Sequence, residues 1–256
     1  ADTSGLRQAV GCVWRVAADD SIGLSLSRPE RLPHAQELFA DGPHAATRAY
    51  EIGDPNLGKE KAWSADIVLR KRTGRVTGQL SIFANRFERY IYEERTGEEM
   101  DGLPVYRFVA RDAEFTGGEI EVVFHAHETE GVQVDLKVMA DTVRGTNTTT
   151  DQPLPRITPN RFGLGFEVRS GHLSFGAEGR HAAAQNRTAP LETPTDSYDL
   201  LSFYASYDLD LGSSSWTLYL RGTNVTNREA RSHTSFLKNE VPLPGRNLIV
   251  GLRLAF

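Results

Sequence analysis

The chain has 256 residues, 29 Lys and Arg against 34 Asp and Glu, and a net charge of −5, a balance that argues against a broad nucleic-acid footprint. Mean hydropathy is −0.41, and no run approaches the roughly 18 apolar residues of a membrane helix. Neither figure excludes a membrane crossed by strands, because alternating strands give a weak hydropathy signal.

Cys12 is the one cysteine, so no disulfide framework or thiolate cluster is available. The opening residues carry no signal-peptide pattern, so an exported precursor would begin upstream of Ala1.

Taken in order, the predicted elements are strands. Ile22, Leu24 and Leu26 share a face, as do Trp63, Ala65, Ile67 and Leu69. Leu80, Ile82 and Ala84 alternate with Gln79, Ser81 and Phe83, and Val134, Leu136 and Val138 with Gln133, Asp135 and Lys137. Leu201, Phe203, Ala205 and Tyr207 alternate with Ser202, Tyr204 and Ser206. Trp216, Leu218 and Leu220 alternate with Thr217, Tyr219 and Arg221. The last stretch sets Leu248, Val250, Leu252, Leu254 and Phe256 on one face. About eleven strands are counted this way, many longer than the five or six residues usual in soluble sheets.

The connections sort by length. Short polar turns are expected at 17–21, 73–75, 127–131, 170–172 and 211–214. Longer segments lie between them at 28–58, 95–104, 145–159, 186–196 and 227–245. Strict alternation of short and long puts all short turns at one end of an up-and-down meander. That is the outer-membrane arrangement, with short periplasmic turns and long outer loops. A Greek-key sandwich has no reason to sort its loops so.

The second face carries Glu119, Glu121, Asp135, Lys137, Arg161 and Arg221, which suit a wet lumen better than a sandwich core. The expected fold class is therefore all-β, an antiparallel up-and-down transmembrane β-barrel. Trp63, Tyr90, Tyr92, Tyr204 and Trp216 are candidates for interfacial girdles, or are ordinary strand aromatics.

Residues 31–44, Arg-Leu-Pro-His-Ala-Gln-Glu-Leu-Phe-Ala-Asp-Gly-Pro-His, begin a series of motifs. Glu51-Ile52-Gly53-Asp54-Pro55-Asn56-Leu57 continues it, then Asn85-Arg86-Phe87 with Tyr90-Ile91-Tyr92, and Leu154-Pro155-Arg156-Ile157-Thr158-Pro159. Asn224-Val225-Thr226-Asn227, His233-Thr234-Ser235-Phe236-Leu237 and Leu243-Pro244-Gly245-Arg246 close it. In order and spacing the series resembles the TonB-dependent outer-membrane receptors, with details similar to the zinc and metal-uptake branch.

The resemblance implies a barrel of roughly 22 strands with an N-terminal plug domain. Residues 1–256 are then the C-terminal half of the barrel, and the plug is absent from this chain. The implied function is transport of a metal ion or metal chelate, zinc first and an iron-siderophore next. The implied partners are outer-membrane lipid, the missing N-terminal half with its plug, and the TonB energy-transducing complex through that half. No nucleic acid and no resident cofactor are expected. The place is the bacterial outer membrane.

For a metal, His44 and Asp41 are the first candidates, in a loop bent by Gly42 and Pro43; imidazole and carboxylate both suit Zn²⁺. His34 and His233 lie in long loops and are further candidates. The alternative for each is a solvated loop histidine. His125 and His127 can share one side of a strand, but they abut a short turn.

No Gly-x-Ser-x-Gly, Walker or His-Glu-x-x-His motif occurs, so no enzyme is expected. Two alternatives remain open: a soluble β-sheet module that binds a ligand or partner, and an outer-membrane barrel enzyme.

Overall fold

The computed structural model describes residues 5–212 and 214–255; the expected aromatic terminus, Phe256, lies outside them. The wall begins with β1 (Gln8–Arg15) and β2 (Asp20–Arg28). A long excursion follows, holding β3 (Glu30–Arg31), α1 (Ala35–Phe39), β4 (Asp41–His44) and β5 (Ala49–Ile52). The wall resumes with β6 (Glu60–Lys71), β7 (Val76–Met100), β8 (Leu103–Glu128) and β9 (Val132–Asn147). After the short β10 (Gln152–Pro153) come β11 (Arg161–Ser170), β12 (Leu173–Ala182), β13 (Tyr198–Leu211), β14 (Ser214–Thr223) and β15 (Asn247–Ala255). Eleven of these form one path, each wall strand antiparallel to the next, from β1 to β15. The sheet does not close on itself: β1 and β15 are its two ends.

The registers join the apolar faces into one band. Leu24 pairs with Ile67 and Ile67 with Ile82; Leu80 pairs with Ile120. Val138 pairs with Leu164, Phe166 with Ala177 and Ala177 with Phe203. Tyr207 pairs with Leu218 and Leu218 with Leu252. A one-residue slip at any pair would turn that strand's polar set outward, so the alternation itself specifies the register. Many band residues are exposed, the placement expected of side chains that face lipid. The opposite face carries the ion pairs Lys137–Glu121 and Arg161–Asp141.

Among the described residues the buried apolar side chains gather at the long-loop end. They include Ala49, Ile91, Val105, Phe108, Leu154 and Ala230. The wall needs no core of its own, because its two faces meet lipid and lumen. The loops do need one, and they have it.

Two expectations are corrected. The segment 95–104 is not a loop: β7 and β8 stay paired to Met100 and Leu103, around a turn at Asp101 and Gly102 with φ of 53° and 73°. Glycine adopts that left-handed backbone freely, and Asp tolerates it. The result is a long hairpin that stands beyond the ten or so residues a tilted strand needs to cross a bilayer. His125 and His127 are separated by a register shift, with His125 opposite Asp135 and His127 opposite Val134. The bulge sends the two imidazoles to opposite parities, so they do not form a pair.

The girdle aromatics divide. Trp63 and Trp216 lie on the apolar parity. Tyr204 lies on the polar parity, its ring filling the space over Gly176. Tyr90 and Tyr92 stack with ring centroids 6.0 Å apart, and Tyr90 also meets Phe87 and Phe115 edge-on at 5.0 and 5.1 Å. Phe87 and Phe115 share the polar parity, so this cluster faces away from the lipid band.

Candidate functional site

The long-loop end is built in two halves. The first is the 29–59 excursion. β9 leaves β8 at Ala113, paired with Asn147. Farther out, β5 takes the vacated edge and pairs parallel with β8, Tyr50 opposite Val105 and Glu51 opposite Tyr106. Gly53 makes this possible: a Cβ there would collide with the backbone of Leu38 and Phe39, and its N–H donates to the Ala40 carbonyl at 2.7 Å.

Arg31 ties the excursion to the wall. It donates to Glu37 at 2.8 and 3.0 Å and to Glu60 at 3.1 and 3.3 Å, while Glu60 also accepts the Ile91 N–H at 2.8 Å. Such charge-assisted, paired contacts are the stronger class of hydrogen bond.

Glu51 is buried and receives three side chains. Gln36 Nε2 donates to one oxygen at 2.7 Å; Thr47 Oγ1 and His44 Nδ1 meet the other at 2.7 and 2.6 Å. These bonds hold its carboxyl below the ordinary range, against a burial effect that acts first and pushes upward.

Asp41 is not beside His44. The two are three residues apart on a strand, so they point to opposite sides. Asp41 accepts a hydrogen bond from the Tyr50 hydroxyl at 3.0 Å instead. His34 precedes α1, its N–H donating to Glu37 at 2.7 Å. His233 is buried in the second half of the site, away from His44's partners. The partner of His44, Glu51, enters the sequence analysis only as the first residue of the 51–57 motif and not as a candidate ligand. Its signal is the alternation Ala49, Glu51 on one parity of β5, an acid placed where an apolar residue is expected.

The second half is made by the 148–160, 183–197 and 224–246 loops. Glu192 is their hub. One oxygen accepts the Arg156 N–H at 2.9 Å, Lys238 Nζ at 2.8 Å and His233 Nε2 at 3.1 Å; the other accepts the Ala189 N–H at 3.0 Å. Burial raises its pKa, but the His233 and Lys238 contacts and the two backbone donors outweigh that and bring it down to about 2. His233 also meets Thr195 Oγ1 at 3.0 Å.

Glu93, on the outer part of β7, reaches Arg156 Nη2 at 3.2 Å. The Arg156 guanidinium lies 3.9 Å from the Phe236 ring centroid, and Phe236 meets Tyr106 edge-on at 5.3 Å. Arg48 and Glu240 join the two halves. Between β7, β8 and the three loops lies a cavity of about 170 Å³, lined by Tyr92, Glu93, Tyr106, Arg156, Phe236 and Lys238 among others. Among the described residues no cluster of three His, Cys, Asp or Glu is arranged to hold a metal ion.

A long-stranded antiparallel wall with a continuous apolar band, short turns at one end and packed loops at the other, is the build of an outer-membrane barrel wall. Residues 4–225 match the family model described as TonB dependent receptor-like, beta-barrel, and the chain belongs to that family, whose place is the bacterial outer membrane. The structure is similar to the copper transporter OprC, with a TM-score of 0.79 at 19% identity over 95% of this chain and 39% of that one. It is similar to the FrpB iron transporter from Neisseria meningitidis, TM-score 0.65 at 17% identity over 96% of this chain and 38% of that one. A ferric enterobactin receptor (PfeA) mutant from Pseudomonas aeruginosa gives a TM-score of 0.68 at 13% identity, over 97% and 40%. These relatives are receptors and transporters, not enzymes, and the chain spans about two fifths of the length of each.

Proposed function

We propose that this chain is the C-terminal part of the barrel of a receptor that imports a metal ion or metal chelate, with zinc as the favoured cargo. The remaining wall, a plug domain and the contact with the TonB energy-transducing complex belong, on this reading, to an N-terminal part outside these residues. The unpaired outer edges of β1 and β15 support it, since an open edge calls for a further strand.

One observation carries the zinc reading: an imidazole, His44, against a buried carboxylate, Glu51, 2.6 Å apart in the long outer excursion. Neutral imidazole and carboxylate are both ordinary Zn²⁺ ligands, and two are too few for a tetrahedral site. The remaining ligands would come from Asp41, His34 or His233 after loop movement, or from the part outside this chain. A receptor must release its cargo, so an incomplete, rearrangeable site suits it better than a closed one.

The test is calorimetry with Zn²⁺ on the full receptor, wild type against His44→Ala, beside growth on scarce zinc. Weaker binding and poorer growth with normal surface assembly are expected. Equal affinities would remove His44 from the site and leave a metal chelate as the cargo.

A further inference from the structure

The lipid-facing band is not uniform at the short-turn end. From β9 to β15 it runs toward the turns on apolar side chains: Val134 pairs with Val168 and Val168 with Phe175, and Leu209 pairs with Trp216 and Trp216 with Leu254. At β2, β6 and β7 it does not. There Asp20 pairs with Lys71, and Lys71 with Gly78, on the parity of Ile22, Leu69 and Leu80. Gly78 has no side chain and none would fit, because a Cβ there would lie 2.4 Å from the Glu121 carbonyl oxygen. The band is dented at this point. A shallow groove of about 330 Å³ results, walled by Val16, Ile22, Leu69, Val76, Leu80 and Val122.

Two cations stand at the groove. Lys71 lines it, with its side chain half exposed. Its ammonium reaches Asp20 at 3.5 Å, longer than the roughly 2.7–2.9 Å of a charge-assisted hydrogen bond. Arg75, in the β6–β7 turn, holds its guanidinium 5.1 Å from the centroid of the Phe124 ring, and Phe124 pairs with Val76 at the groove's rim. Among the described residues no carboxylate is paired with Arg75.

The depth of the groove follows from its neighbours. Trp14 of β1 pairs with Ile22 and is exposed on the same face. Tryptophan settles at the level of the lipid headgroups, with its ring toward the chains. Lys71 and Arg75 close the groove on the turn side, where a charge on the lipid face costs little, whereas at the midplane it costs several kcal/mol. The short-turn end is the periplasmic one in an outer-membrane barrel.

We propose that this groove holds one anionic phospholipid of the periplasmic leaflet, with an acyl chain against Val76, Gly78 and Leu80 and the phosphate between Lys71 and Arg75. The inference rests on the wall facing lipid and not on the cargo. Apolar walls suit a hydrocarbon chain, and two cations at one end suit a phosphate. A zwitterionic headgroup would bring its own cation toward Lys71 and Arg75, so a net negative headgroup is preferred. Asp20 does not block the site: an ammonium has three donors, so Lys71 can keep Asp20 and take a phosphate oxygen as well.

The experiment is native mass spectrometry of the full receptor, stripped of lipid in detergent and titrated with phosphatidylglycerol or with phosphatidylcholine of the same chains. A basic residue beside an anionic headgroup contributes about fivefold in affinity, so the wild type should hold its first phosphatidylglycerol roughly twenty-fivefold more tightly than phosphatidylcholine. Lys71→Gln and Arg75→Gln should each lose about fivefold, and the double variant should show no preference. Val76→Trp, which fills the groove and keeps both cations, should weaken both lipids. Arg86→Gln, on the same face toward the long-loop end, should leave the preference unchanged. All these side chains are exposed, so the wall should assemble in each variant. If the double variant does not, the two single variants carry the test. Equal wild-type affinity for the two lipids overturns the site. So does a preference that survives the loss of both cations, or one that Arg86→Gln removes. Unchanged phosphatidylglycerol affinity in Val76→Trp overturns the groove as the seat of the chain.

Discussion

Replacing Glu192 by Gln should release the outer loops while leaving the barrel wall intact. Glu192 is the common acceptor of four donors from three loops. Gln keeps one acceptor oxygen but loses the charge, and its amide turns a donor toward donors. Lys238, which is buried, is left without that counter-charge, and the buried His233 loses its carboxylate acceptor. Lys238 already has its pKa lowered by burial, so losing Glu192 makes its ammonium costlier still. The size follows from the acid itself. A carboxyl moved from 4.5 to about 2 is worth roughly 3 kcal/mol at 1.36 kcal/mol per unit. Screening by nearby solvent reduces that to about 2 kcal/mol, roughly a thirtyfold change in local opening. The sign in pH is fixed by the same shift. Because the folded pKa is depressed, the stabilisation is present above about 4.5 and is lost as pH falls toward 2. Hydrogen exchange of the 183–197 and 224–246 amides in the full receptor reads both effects. Protection unchanged in Glu192→Gln, with no acid loss in the wild type between pH 4.5 and 2, would refute the hub.

The wall and the sidedness can be tested separately. Leu218, on the band between Tyr207 and Leu252, should cost roughly 2–4 kcal/mol as Arg near the bilayer midplane, whereas Thr217→Arg, on the polar parity, should cost far less; equal losses in refolding titrations would mean the faces are exchanged. An epitope inserted at 45–47, in the turn between β4 and β5, should be labelled on intact cells and one beside Gly212 should not; labelling at Gly212 would reverse the topology.

The wall was legible because its rule is periodic. A strand buried in lipid on one side and wet on the other must alternate, and the alternation of Leu80, Ile82 and Ala84 with Gln79, Ser81 and Phe83 states the register as well as the strand. The path of eleven matches the count made from pattern alone. The 95–104 segment misled because Arg95, Glu98, Glu99 and Asp101 look like a loop. Beyond the membrane both faces of a hairpin are polar, so the period vanishes while the pairing continues to Met100 and Leu103. Bulges are equally silent: nothing in His125-Ala126-His127 announces the extra residue that separates the two imidazoles. The site was legible as composition and not as contact. His44 and Asp41 stood out by residue type, but their partners, Glu51 and Tyr50, depend on a hairpin whose pairing is decided by β8, more than fifty residues away.

The two ends of the molecule are therefore stabilised by different physics, and this bears on how a gate can be built. In the wall, each strand between β1 and β15 is fixed by backbone pairing on both sides and by an apolar face that water would penalise, so movement of one strand costs many bonds at once. In the loops, few strands pair, and cohesion comes from a small apolar core and from single polar hubs: Arg31 between Glu37 and Glu60, Glu51 among Gln36, Thr47 and His44, Glu192 among four donors. A hub of this kind is local and titratable, worth about 1–3 kcal/mol to a charged group. That is the scale on which a proton, or a cation competing for the same carboxylate, can shift a loop between two arrangements. The hubs share loops without sharing atoms. Arg156 touches Glu192 through its backbone and Glu93 through its side chain, and Arg48 reaches Glu240 from the other half. Loosening one hub thus lowers the cost of opening the next, while the wall beneath keeps its register.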